Sequence, residues 1–149
     1  MKYIAFSMFL VLAGCADMPA YKNFDAAVYD VKDYVVFETE SHAGRKSRSW
    51  ADGKPDLNIV HIDNKKVGDI AFSTYYYKND SPQQAILTPG KHTIELEYKI
   101  PTKYLRMTFE FEGVAGQKII AKSAYTGLDS IRLWLEDQDT NEEVGKRVK

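Results

Sequence analysis

Residues Thr93 to Ile100 alternate throughout: Ile94, Leu96, Tyr98 and Ile100 fall on one side, and Thr93, Glu95, Glu97 and Lys99 on the other. A strict period of two describes a strand with one buried face and one wet face. A helix would scatter the four apolar residues around its circumference. After Pro101-Thr102-Lys103 the pattern resumes over Tyr104 to Glu112. Leu105, Met107, Phe109 and Phe111 point inward there, and Arg106, Thr108, Glu110 and Glu112 outward. Two matched runs around a short break predict a long antiparallel hairpin.

The rest of the chain fits the same class. Asp33 to Thr39 is rich in strand formers, and Asp56 to Ile62 places Leu57 and Ile59 on a shared face. Asp63-Asn64 offers a tight turn before Lys65-Lys66-Val67, which reads as a second hairpin. Lys118 to Tyr125 and Ile131 to Glu136 are further strands. Asp137 to Asn141 is a polar turn, and Val144 to Val148 reads as a short edge strand. A helix over Phe24 to Val31 is a minor expectation. Aromatic residues make up 13% of the 149, which favours a half-buried pleated surface. Turns recur at sandwich-like spacing without βαβ alternation. The fold expected is therefore all-β, an antiparallel β-sandwich of about seven or eight strands.

The N-terminus has a different grammar. Lys2 precedes a short apolar run, Ile4 to Leu12, and the small residues Ala13-Gly14 lead to Cys15, the one cysteine of the chain. A charged start, a short apolar middle and a small-residue end make a signal-peptide layout. The run is too short to cross a bilayer. Leu12-Ala13-Gly14-Cys15 resembles the lipobox of bacterial lipoproteins. That resemblance implies cleavage before Cys15 and lipid on its sulfur and new amino group. Stable anchoring takes at least two acyl chains, which a multiply acylated cysteine provides. Ala16 rather than Asp follows Cys15, so the resemblance favours the outer membrane over the inner, with the domain facing the periplasm. Residues 1–14 are then signal peptide, 15–23 the lipidated cysteine and a tether containing Pro19, and 24–149 the domain.

Within the domain, Ala85 to Tyr98 (AILTPGKHTIELEY) resembles small bacterial lipoproteins with PEGA-type β-sandwich modules. An Ile62-Asp63-Asn64-Lys65-Lys66-Val67 element precedes a Leu87-Thr88-Pro89-Gly90-Lys91-His92 turn that enters the long strand. The likeness extends from about Leu57 to Val144 and includes the closing stretch Trp134-Leu135-Glu136-Asp137. It implies a fold and a location, and no enzymatic activity. Pro89 with its fixed φ and Gly90 with its freedom at positive φ suit a type II turn, so Pro89, Gly90 and His92 read as architecture.

Chemistry is harder to find. A net charge of −1 supplies no basic field for nucleic acid. One cysteine permits neither an intrachain disulfide nor a four-thiolate metal site. Three histidines occur, His42, His61 and His92. His61 and Asp63, two apart, could share a strand face and donate two metal ligands, which keeps a metal-dependent hydrolase as a distant alternative. The carboxylate pairs Glu95/Glu97 and Glu110/Glu112 fall on wet faces, where acid–base catalysis lacks a perturbing cleft. Catalytic residues, metals, soluble cofactors and a small-molecule substrate are accordingly not expected; the one added group is the lipid on Cys15. Two stretches suit recognition. Ser41 to Lys54 gathers Arg45, Lys46, Arg48 and Trp50, and arginine with tryptophan is the pair most enriched at recognition surfaces. Tyr75-Tyr76-Tyr77 places Tyr76 on the opposite face from its neighbours. The leading expectation is a non-catalytic, lipid-anchored envelope lipoprotein whose sandwich meets an envelope partner. A peptidoglycan- or glycan-binding module is the alternative.

Overall fold

A computed structural model describes residues 19–43, 56–68, 81–100, 103–127 and 130–149. Two sheets pack face to face as an all-β sandwich. In chain order the strands are β1 (Tyr21–Lys22), β2 (Val35–Thr39), β3 (Asp56–Ile62), β4 (Lys65–Lys66), β5 (Gln84–Leu87), β6 (Gly90–Ile100), β7 (Lys103–Gly113), β8 (Lys118–Gly127), β9 (Ser130–Asp137), β10 (Glu143–Val144) and β11 (Lys146–Arg147). One helical turn, α1 (Glu40–Ala43), follows β2. The six-stranded sheet has the order β1-β5-β2-β8-β9-β10 and the five-stranded sheet β11-β7-β6-β3-β4. Among the described residues seven of the eleven strands run four residues or longer; six of these, β2, β3, β6, β7, β8 and β9, match the runs read from the sequence, and β5 is not among them.

The long hairpin forms in full register from Gly90↔Gly113 to Ile100↔Lys103. Its inward set, Ile94, Leu96, Tyr98, Met107, Phe109 and Phe111, is buried. Opposite it lie Val35, Phe37, Leu87, Ile119, Ala121 and Leu135 of the other sheet. Phe37 and Phe111 bridge the two layers with ring centroids 5.8 Å apart. Each such side chain contributes about 1.5–3 kcal/mol through burial. At the β3–β4 turn, Asp63 and Asn64 take φ of 49° and 63°. Two successive left-handed residues make the primed turn that matches strand twist, and Asp and Asn tolerate it.

The structure corrects three details. No helix spans Phe24 to Val31; a single 3₁₀ turn occupies Val31–Asp33, where Asp30 accepts from the Lys32 N–H at 3.0 Å. The rings of Phe24, Tyr29 and Tyr34 pack together instead, with Phe24 stacked on Tyr34 at 4.0 Å. Tyr21 and Lys22, inside the stretch read as a tether, pair in parallel with Ala85 and Ile86. Finally, the closing stretch is two strands rather than one. The chain leaves the six-stranded sheet after Val144, turns at Gly145 with φ +73°, and joins β7 of the other sheet. A Cβ at Gly145 would lie 2.6 Å from the Glu110 carbonyl oxygen, so only glycine fits this crossing.

Candidate interaction surface

Cys15, Arg45, Lys46, Arg48, Trp50 and Tyr76 lie outside the described residues. His61 and Asp63 are described, and the fold does not bring them together. A bulge at Val60 shifts the β3–β6 register, and His61 comes to stand opposite Glu95. Its Nδ1 is 3.1 Å from a Glu95 carboxylate oxygen, a distance suited to an ion pair but out of line for a hydrogen bond. Asp63 turns to His92 instead. Its Oδ2 is 2.8 Å from His92 Nδ1, and its Oδ1 accepts from the Thr93 N–H at 2.9 Å. His92 Nε2 meets the Thr88 carbonyl oxygen at 2.7 Å. Both ring nitrogens are thus engaged, one by Asp63 and one by the Thr88 carbonyl. This His–Asp pair has no free nitrogen to offer a substrate. It ties the β3–β4 turn to the Thr88–Gly90 turn, the architectural role expected of His92.

The outer face of the five-stranded sheet is polar and closed on itself. Arg106 Nε donates to Glu97 at 2.9 Å, and an Arg106 terminal nitrogen lies 3.9 Å from Glu95. Glu97, expected on a wet face, is 2% exposed. The reason is local: its cross-strand neighbours are Asn58, itself buried and accepting from Gln83 Nε2 at 3.1 Å, and Arg106. A buried carboxylate is tolerable only with such a partner. Farther along this face, Lys91, Thr93, Glu110, Glu112 and Lys146 border an open groove of about 570 Å³. Lys146 Nζ already pairs with Glu110 at 3.3 Å.

The outer face of the six-stranded sheet carries a different feature. On β9, Ile131, Leu133 and Leu135 pack toward the core, which places Arg132, Trp134 and Glu136 on the opposite face. The Arg132 guanidinium sits 5.0 Å from the centre of the Trp134 ring and pairs with Glu143 of β10. Lys122 of β8, directly opposite Trp134, pairs with Glu136. The indole N–H donates to the other Glu136 oxygen at 3.1 Å. The Lys122 hydrogen bond, then the indole, hold the Glu136 carboxyl below its ordinary range, against opposing desolvation. One end of the row is thus a fixed negative charge, the other a guanidinium, with a half-buried indole between them. Sequence reading placed Trp134 on a strand without singling it out. The signal available was its parity, opposite to Leu133 and Leu135.

Among the described residues, no group of three or more His, Cys, Asp or Glu is placed to hold a metal ion, and no helix is long and apolar enough to cross a membrane. Comparison with protein-family models, curated proteins and solved structures returned no match.

Proposed function

We propose that this chain is a lipid-anchored lipoprotein of the bacterial cell envelope, held at the outer membrane through Cys15 and facing the periplasm. Its sandwich presents the Trp134 row to an envelope partner and performs no catalysis. The observation that supports this most is the row itself: arginine and tryptophan side by side on an outer sheet face, rimmed by fixed charges of both signs, the composition of an interface centre. The lipobox-like Leu12–Cys15 supplies the location. From Cys15 to the first strand at Tyr21 is at most roughly 20 Å of extended chain, so the partner is met close to the membrane surface.

Two experiments test the reading. Cells grown with a labelled fatty acid should yield a labelled protein, and Cys15→Ser should abolish the label; an unlabelled wild type removes the anchor. A photo-crosslinking residue at position 122 should give one discrete adduct in intact cells, lost in the Trp134→Ala background. No adduct would count against a protein partner. The second reading, a glycan or peptidoglycan binder, is favoured by the same outward indole, since aromatic rings stack on sugars. Sedimentation with purified sacculi, reversed by Trp134→Ala, would support it.

A further inference from the structure

The β9 strand has an edge that its neighbour covers only in part. The Asp137 N–H donates to the Glu142 carbonyl oxygen, away from β8, while the Gln138 N–H donates to the Lys118 carbonyl oxygen, toward β8. Backbone direction alternates along a strand. The N–H and C=O groups of Ile131, Leu133 and Leu135 therefore point to the β10 side. The β10 ladder reaches only Leu135 and Glu136. Among the described residues, Ile131 and Leu133 have no backbone partner on that side. An edge left open by the described residues is a template for a further strand.

The side chains around it indicate what that strand carries. β10 is the occupant of the covered half. It sets Glu143 on the outer face, against Arg132, and Val144 on the core side, opposite Leu135. The open half keeps the inward apolar face, with Ile131 and Leu133, but carries Arg132 and Trp134 outward where the ladder partner of Glu143 is Glu136. We infer that an extended segment of a partner protein, alternating acidic and β-branched apolar residues, adds beside Ile131–Leu133 in line with β10. The inference rests on the reading of the Trp134 row as the partner-facing surface. A second copy of this chain fits less well. The symmetric pairing centred on the open stretch would set Arg132 directly opposite Arg132, a like-charge pair that destabilises.

The ladder also specifies which amides matter. In the Val144↔Leu135 pair the inward residue of β10 exchanges backbone bonds with β9. The inward residues of an added strand do the same. The test uses the folded domain and acetylated hexapeptides of alternating Glu and Val. In the free protein, the amides of Ile131 and Leu133 should exchange with solvent about tenfold or more faster than that of Leu135. The Glu/Val peptide should slow both and perturb Trp134 fluorescence. N-methylation at the valines should abolish binding, whereas N-methylation at the glutamates should leave it within about twofold. A Lys/Val peptide should bind several-fold more weakly. Equal binding of the two methylated peptides, equal binding of the Lys peptide, or slow exchange at Ile131 and Leu133 in the free protein would each overturn the proposal. A Trp134-dependent adduct in cells without peptide binding would leave the surface and remove strand addition. Peptide binding without the adduct would do the reverse.

Discussion

The turn end at His92 and the edge at Trp134 each join an acid to a ring, and they differ in what they leave over. At His92 the ring is 6% exposed, rests 5.7 Å from Phe111, and has both nitrogens engaged by Asp63 and Thr88. At Trp134 the indole N–H is engaged, but the ring stands half-buried on an outer face beside an incompletely paired strand. A site whose polar groups are all satisfied from within is built for stability. A site that keeps ring surface and backbone groups in reserve is the one proposed to meet a partner.

Substitutions should separate the two. The largest effect is expected beneath the turn end. Phe111→Ala removes a ring that touches both His92 and Phe37 and should cost about 3–5 kcal/mol in urea unfolding. Next, His92→Ala leaves the Thr88 carbonyl and the Asp63 carboxylate without their partner and should cost about 1–3 kcal/mol. In a double-mutant cycle with Asp63→Ala the costs should sum to less than additive, because both changes break one contact; strict additivity would show the pair to be incidental.

A smaller effect concerns pH. The Asp137 carboxyl is held below its ordinary range by the Gln117 side chain first, and then by the Thr140 and Asp139 N–H groups. Its folded value is below the unfolded one, near 3.9 for a free aspartate. The stabilisation is therefore complete above that value and is lost as pH falls through the folded one. Asp137→Asn should flatten the acid limb of stability below about pH 4, measured by thermal unfolding across pH. The smallest stability change belongs to Trp134→Ala, within about 1 kcal/mol, while the cellular adduct disappears. A large loss of stability there would erase the contrast between the two regions.

Much of the frame was legible because its signals are local. Strict alternation announced β6 and β7, and Asp63-Asn64 announced the β3–β4 turn. What escaped depends on residues far apart in sequence. Glu97 reads as wet from its parity and is buried because Asn58, Gln83 and Arg106 arrive from elsewhere. The split between β10 and β11 turns on one glycine at a sheet crossing, which periodicity over five residues cannot resolve. Tyr21-Lys22 is too short to carry a pattern and is held by its parallel partner β5. Of the residues proposed for recognition, Trp134 lay within a correctly read strand; its prominence came from Arg132, Lys122 and Glu136, two of them neighbours by parity and one from across the β8–β9 pair.

The order of strands in the six-stranded sheet sets a sequence of events in folding. The β6–β7 hairpin closes over a short turn and can form early. The six-stranded sheet cannot complete itself that way. Its centre is the parallel pair β2 and β8, where Val36 lies beside Lys118, and Glu40 meets Ser123 from 83 positions away. Closing so long a loop is slow, and until it closes the edge of β2 has no neighbour on one side. A chain emerging N-terminus first would therefore carry β2 unpaired on that side until β8 follows.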